Sequence, residues 1–468
     1  MNILFAAAEV APLIKTGGLG DVAGALPPAL RRLGHDVRLV MPRYRRVRDG
    51  AAPQDGPHAV TLLPAGDRME LMRVFSTYIG DMPVYLLDIP AAFDREAIFD
   101  ERDDDRRFIL FDRGILALML HLQEREGWRA AVLHANDWHT ALLANYLKVG
   151  YAHLFGPVAT IYTIHNLAYQ GFFNPFSLYL AGLDGGGEHY LNFAARGITY
   201  ADIVSTVSPT YAQEILTPEY GQLLDGLLRT RQDHVVGILN GIDDEIFNPA
   251  TDRHIAATYS ADDPSGKAIC KAALQRECGF VVDPDRPVLG MVTRLVEQKG
   301  LDLLYQTLPW LIGQTNAQLV VLGRGDPTIE FAFVEQMRRH PERVNVQLRF
   351  DGVLAQRVYA GSDAFLMPSL YEPCGLAQLI ALRYGAIPIV RATGGLADTV
   401  REGYDGNGFR FYHDTAGDLR AAIERCLTCF RDITGWPILR ARGMREDHSW
   451  NAAAQEYVAL YEWATREV

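Results

Sequence analysis

Short β-rich runs separated by helical stretches recur along the whole chain, and that alternation leaves few folds open. In the first half the strand-like runs are residues 3–8, 37–41, 84–89, 131–134, 158–164, 203–207 and 235–239. Helical patterns such as 22–33, 108–124 and 140–147 lie between most of them. Near-continuous apolar runs alternating with helices predict a parallel, doubly wound sheet covered on both faces. Residues 50–81 break the rhythm and read as an inserted hairpin. Pro, Asp, Ser and Thr dominate 248–266, which reads as a hinge region. Beyond it the pattern restarts with runs at 288–292, 319–322, 344–348, 364–367 and 387–390.

With 468 residues the chain is too long for one core. The expected architecture is α/β, two Rossmann-like domains facing each other across a deep cleft, with boundaries 1–245 and 246–448. A last helix over 449–466 has Trp450, Tyr457, Leu460, Tyr461 and Trp463 to bury. Its periodicity does not say which domain it packs against, and the N-terminal domain is one choice.

Two similar loops punctuate this pattern, Lys15-Thr16-Gly17-Gly18-Leu19-Gly20-Asp21 and Thr393-Gly394-Gly395-Leu396-Ala397-Asp398. Each follows an apolar run and opens a helical stretch. Paired glycines permit a sharp turn and a close approach to a ligand. The amides at the following helix N-terminus would then face outward and suit an anionic or polar group. Either loop alone also fits an ordinary strand-to-helix turn. Ligands of such sheets sit beyond the strands' carboxyl ends, where both loops would lie.

The formal net charge of −12 argues against nucleic acid as the principal partner. No apolar run reaches the roughly 20 residues of a membrane span, and the start of the chain lacks the features of a signal peptide. Five cysteines without framework spacing fit a reducing, cytoplasmic setting. Cys426 and Cys429 form a lone C-x-x-C, which cannot complete a zinc site. Asp103-Asp104-Asp105 and Asp283-Pro284-Asp285 read as solvated charge rather than metal ligands.

In an acidic chain, well-placed cations carry information. Lys15 precedes the first glycine loop, and Arg294 and Lys299 follow the run 288–292. Converging, the three could neutralise a diphosphate and stabilise it as a leaving group. Glu372, in Tyr371-Glu372-Pro373-Cys374-Gly375-Leu376, lies at a strand end before a helix. A carboxylate there could bind sugar hydroxyls or stabilise developing positive charge, or serve only as a helix N-terminal acid. Asn136-Asp137-Trp138-His139 and His165-Asn166-Leu167-Ala168-Tyr169-Gln170-Gly171 also follow strands, and they look like recognition of a hydroxyl-rich ligand.

A dehydrogenase is the natural rival, because Gly18-Leu19-Gly20 with Gly24 roughly imitates a dinucleotide fingerprint. The second strand ends in Met41-Pro42-Arg43-Tyr44, with no acid for the ribose hydroxyls of NAD, although Arg43 would suit NADP. The second glycine loop would then have no use.

In their order along the chain these motifs, together with Ser208-Pro209-Thr210-Tyr211, Asn240-Gly241-Ile242-Asp243 and Gln298-Lys299-Gly300, resemble bacterial glycogen synthase and plant starch synthase. The resemblance implies a GT-B fold and retaining transfer of glucose from ADP-glucose to the non-reducing end of an α-1,4-glucan such as glycogen. No cofactor or metal is implied. It places Lys15, Gly17, Gly18, Asp21, Asn240, Arg294, Lys299, Gly375, Leu376, Thr393, Gly394 and Gly395 around the donor. Phe350 occupies the position of an adenine-stacking ring. Glu372 and His165 lie beside the reacting glucose, and Asp137, His139, Asn166, Tyr169 and Gln170 on the acceptor side. Ile380 stands where many retaining enzymes of this fold carry a second glutamate for the donor ribose, so the ribose contacts stay unassigned. A relative with UDP-glucose as donor, one with a small sugar phosphate as acceptor, and an inactive glucan-binding protein share most of this pattern.

Overall fold

The computed structural model describes residues 1–99, 102–183 and 190–468. They divide into two compact units, Met1–Gly241 with Trp450–Val468, and Ile242–Ser449.

The first unit contains β1 (Asn2–Ala6), β2 (Asp36–Pro42), β3 (Asp55–Ala65), β4 (Arg68–Ile79), β5 (Met82–Asp88), β6 (Val132–Asn136), β7 (Ala159–Ile164), β8 (Phe172–Phe173), β9 (Leu191–Asn192), β10 (Ile203–Thr206) and β11 (Val235–Gly237). Nine of these form one sheet in the order β11-β10-β7-β6-β1-β2-β5-β4-β3, while β8 and β9 pair separately. From β11 to β5 every pairing is parallel. Ile3, Leu4, Phe5 and Ala6 of the central β1 are all fully buried, as strands covered on both faces require.

Residues 50–81 do form a hairpin, β3 antiparallel to β4, which extends the sheet past β5. One face is open to water: Leu63, Met72 and Val74 are buried, whereas Val60, Leu62 and Leu71 are exposed. The sheet winds outward from β1 in both directions, so its order reverses between β1 and β6.

Ile242–Ser449 carries β12 (Val288–Val292), β13 (Gln318–Leu322), β14 (Val344–Gln347), β15 (Ala364–Met367), β16 (Ile387–Arg391) and β17 (Phe409–Phe411). They form an all-parallel sheet in the order β14-β13-β12-β15-β16-β17, the Rossmann sequence of strands, whose order reverses between β12 and β15.

The chain passes between units at Gly241/Ile242 and again at Ser449/Trp450. Residues 248–266, which composition marks as a hinge, are instead built into the second unit. Ile255 and Tyr259 are buried in its core, and buried Tyr384 donates to Asp252 at 2.6 Å. Polar turn residues there serve local turns: Asn248 and Asp252 side chains accept from amides two residues on.

The terminal helix Trp450–Ala464 belongs to the first unit and buries Tyr457 and Tyr461. Tyr461 Oη lies 2.8 Å from His134 Nδ1, and His134 Nε2 lies 2.6 Å from Thr163 Oγ1, which ties the helix to β6 and β7. No helix among the described residues is long and apolar enough to cross a membrane.

Candidate active site

In a doubly wound sheet the crevice opens where strand order reverses, at the carboxyl ends. In the first unit that place is the end of β1 and β6. Beyond β1, Glu9 is almost completely buried, and its carboxylate accepts from the amides of Thr16, Gly17 and Gly20 and from Thr16 Oγ1. The amides of the first glycine loop were expected to face outward; three of them are taken by this resident anion, which caps the helix Gly18–Arg32. Gly18 still faces open space, since a Cβ there would meet nothing within 4 Å. Lys15 Nζ pairs with Asp21 Oδ1 at 2.7 Å, with nearly half of the lysine side chain exposed. Gly20 leaves room for the Lys15 stem, whose Cγ would lie 3.1 Å from an added Cβ.

Beyond β6, Asp137 adopts φ 56°, a left-handed conformation unusual for a residue with a side chain. Its Oδ1 accepts from the His165 amide at 2.8 Å and so joins the ends of β6 and β7. Withdrawal from water pushes its carboxyl up to about 7, against the amide hydrogen bonds of His165 and Asn166. His165 is held neutral, its pKa lowered by burial to about 3. Asn136 Nδ2 donates to the Ala6 and His134 carbonyls, which turns Asn136 Oδ1 toward His165 Nε2 at 2.9 Å. The imidazole must therefore donate from Nε2, which leaves the Nδ1 lone pair to accept a hydroxyl.

The resemblance places His139 on the acceptor side. It is 6% exposed, stacked on Trp138 with ring centroids 4.1 Å apart and flanked by Phe99 and Phe108. Burial and the nearby Arg107 charge lower its pKa to about 3, so it packs as a neutral aromatic ring that supports Trp138. Trp138 in turn meets Gly171, where an added Cβ would lie 2.4 Å from the indole. Along this segment Asn166 Oδ1 accepts from the Ala168 amide, Tyr169 is exposed, and Gln170 bonds Asn192, Leu167 and Gln222. Asn240, at the end of this unit, is buried, and its Oδ1 has no hydrogen-bond partner among the described residues.

In the second unit β12 and β15 are the switch-point strands. A pocket of about 190 Å³ lies at their ends, lined among others by Arg294, Lys299, Ser369, Glu372, Gly375 and Leu376. Glu372 is 7% exposed, and its Oε2 accepts from Lys299 Nζ at 2.6 Å and from Ser369 Oγ at 3.0 Å. Gly300 makes this possible: at φ 63° it passes so close to Pro368 that a Cβ would lie 1.9 Å from the carbonyl oxygen. Arg294 is exposed, and its guanidinium has no hydrogen bond or ion pair among the described residues.

The second glycine loop does not repeat the first. Gly394 and Gly395 are buried, and added Cβ atoms would lie 2.0 Å from the Glu372 carbonyl and 2.1 Å from that of Cys374. The Gly395 amide donates to the carbonyls of Glu372 and Pro373, and Thr393 is 1% exposed. These glycines position the carboxylate loop by backbone packing, and the Gly395 amide is not directed outward. Phe350 is 78% exposed beyond β14, and Ile380 is buried in the core. Glu9 and Ser369 are the contributors that motif reading left without a role. A lone carboxylate closing the apolar run Ile3–Ala8 was the available signal for Glu9.

Residues 2–230 match the starch synthase catalytic domain family, and residues 286–429 match the glycosyl transferases group 1 family. The glycogen synthase of Syntrophotalea carbinolica is 45% identical over 480 residues, covering 98% of each chain. That of Gloeobacter violaceus is 44% identical over 468 residues with the same coverage. The catalytic domain of starch synthase IV from Arabidopsis thaliana, solved bound to ADP and acarbose, superposes with a TM-score of 0.91 at 33% identity over 99% of both chains. Sucrose-phosphate synthase from Thermosynechococcus elongatus, at 17% identity and a TM-score of 0.63, shares the fold. With this sequence identity over nearly its full length, the chain belongs to the glycogen and starch synthase family, glucose-transferring enzymes of GT-B fold.

Proposed function

We propose that this enzyme transfers glucose from ADP-glucose to the non-reducing end of an α-1,4-glucan with retention of configuration. The observation that supports it most is the second unit's pocket, where a buried carboxylate, Glu372, is held by Lys299 and Ser369 beside Arg294, whose guanidinium is unpaired among the described residues. Arg294 and Lys299 meet the charge that develops on the departing ADP, with Lys15 as a further cation. Side-chain cations take the neutralising part, so the proposal includes no metal. Glu372 stabilises positive charge at the anomeric carbon as the bond to phosphate lengthens. His165 accepts a sugar hydroxyl at Nδ1. The acceptor hydroxyl attacks from the face the phosphate leaves, and its proton passes to that phosphate. Phe350 is assigned to the adenine, as an exposed ring available for stacking.

Radiolabelled glucose transfer to glycogen tests this directly, with ADP-glucose and UDP-glucose compared and primer-free and EDTA arms included. Primer-dependent, EDTA-resistant incorporation from ADP-glucose is expected. ADP release with a small sugar phosphate, and none with glycogen, would move the acceptor; trapping a glucosyl ester on Glu372 would sink the same-face route.

A further inference from the structure

Five aromatic side chains between Tyr169 and Tyr190 stand out of the first unit's surface: Tyr169, Phe172, Phe176, Tyr179 and Tyr190 are each 56–62% exposed. No other described stretch of that length exposes more than two. Four of them form ring pairs. Phe172 and Tyr190 stack with centroids 5.0 Å apart, and Phe176 and Tyr179 lie 5.6 Å apart. Exposed paired rings forgo the burial that ordinarily pays for placing them in a fold, and concentrations of apolar surface mark binding sites.

Their mounting is firm. In β8 the alternation of a strand turns Phe173 inward onto Trp138 and Phe193, and so turns Phe172 outward. Phe172 pairs with Asn192, the Phe193 amide donates to the Gly171 carbonyl at 3.0 Å, and Asn192 Nδ2 donates to Gln170 Oε1 at 2.6 Å. The first ring pair is thereby tied to the segment that carries His165. The helix Phe176–Ala181 buries Ser177, Leu178 and Ala181, and the Ala181 carbonyl accepts from Arg113 and Tyr146. Phe176 and Tyr179, three apart, share its outer face.

The chemistry of the surface selects the occupant. Residues 166–183, which carry four of the five rings, contain no Asp, Glu, Lys or Arg, and Asp184 and Glu188 are the only charged residues between Leu183 and Tyr190 in the sequence. Every exposed large apolar residue in this stretch is aromatic. The β3–β4 surface, by contrast, exposes the aliphatic Val60, Leu62, Met69 and Leu71. A surface of flat rings to which residues 166–183 add amides such as Asn166, Gln170 and Asn174 and no charged side chain matches a ligand with apolar faces and hydroxylated edges. Pyranose rings have that shape.

We propose that these aromatics form a stacking platform for the acceptor, binding successive glucose rings of an α-1,4-glucan upstream of the end that reacts. This rests on the glucan-acceptor reading above. The platform raises affinity for long acceptors and leaves the donor untouched.

Two paired variants of the full chain test it, Phe172→Ala with Tyr190→Ala, and Phe176→Ala with Tyr179→Ala. The KM for glycogen should rise roughly fivefold in each, in line with about 1 kcal/mol per ring pair. The KM for ADP-glucose at saturating glycogen should hold within about twofold, and maltotriose should be affected less than glycogen. Migration through glycogen-containing native gels, run without donor, reads binding alone and should speed up in both variants. Phe172→Tyr should restore retention, which separates stacking from folding. An unchanged glycogen KM with unchanged gel retention overturns the platform, as does a loss of self-association in the variants with no change in glycogen KM. Failure of the wild-type enzyme to transfer glucose to any glucan would count against the functional reading, while gel retention would still report on the platform.

Discussion

Glu372→Gln should separate nucleotide binding from catalysis, in opposite directions. Lys299 Nζ is 2.6 Å from Glu372 Oε2, and the two side chains are only 14% and 9% exposed. At an effective dielectric of about 20 such a pair attracts by roughly 6 kcal/mol before desolvation is subtracted. The net worth of one charge-assisted hydrogen bond is about 1.5–3 kcal/mol, against about 1 kcal/mol for a neutral one. A diphosphate that recruits Lys299 must share it with Glu372. Glutamine keeps the shape and weakens the competition by about 1 kcal/mol, so ADP should bind roughly fivefold more tightly. Turnover should fall by about 10²–10³, because the carboxylate no longer meets positive charge at the anomeric carbon. Titration calorimetry with ADP and initial rates on glycogen give the two numbers on the same preparation. ADP affinity dropping in step with turnover would refute the reasoning, since Glu372 would then be no more than a support for the nucleotide site.

Arg294→Ala should leave the unfolding midpoint nearly unchanged, because Arg294 is exposed and unpaired among the described residues. It should weaken ADP binding by about 1.5–3 kcal/mol, read by calorimetry. Glu9→Ala orphans the amides of Thr16, Gly17 and Gly20 and should cost about 1–3 kcal/mol in denaturant unfolding, with Glu9→Gln closer to wild type. Asp137 has a folded pKa raised to about 7 from 3.8, so the folded state holds a proton the unfolded chain gives up. Its contribution to stability is therefore full below 3.8 and lost as pH rises through about 7, with a slope of about 1.4 kcal/mol per pH unit between. Asp137→Asn should remove that slope from a plot of unfolding free energy against pH.

Both doubly wound sheets are legible in the sequence, because strands buried on both faces must be written as continuous apolar runs. The 50–81 hairpin is legible because one wet face breaks such a run. What stays hidden depends on contacts far apart in the chain or on which backbone a motif adopts. Nothing local to Asn136-Asp137-Trp138-His139 says that His139 is boxed in by Phe99 and Phe108. Residues 248–266 have the composition of a linker, yet Tyr384, more than a hundred residues later, bonds Asp252. Lys299, Ser369 and Glu372 come together only when β12 and β15 lie side by side, which is a property of strand order.

The two glycine loops make the same point in a form that can be tested. Both read Thr-Gly-Gly-Leu and both lead into a helix that begins at a glycine, but the first glycine of one helix, Gly18, has free space where a Cβ would be, while that of the other, Gly394, sits at φ 44° against a carbonyl. Alanine at Gly18 suits a helix and should leave stability equal or up by as much as about 1 kcal/mol. If a donor phosphate approaches that backbone, the added methyl should raise the KM for ADP-glucose severalfold in the same variant. Alanine at Gly394 costs roughly 1–2 kcal/mol for the left-handed backbone alone. Its Cβ would also lie 2.0 Å from the Glu372 carbonyl oxygen, so the carboxylate loop must shift. The unfolding midpoint should fall and turnover with it, at a KM for ADP-glucose that follows the loss of folded enzyme. Matching behaviour of the two variants, both stable with a raised donor KM, would mean that the loops do share one task and that Gly394 is a ligand contact after all.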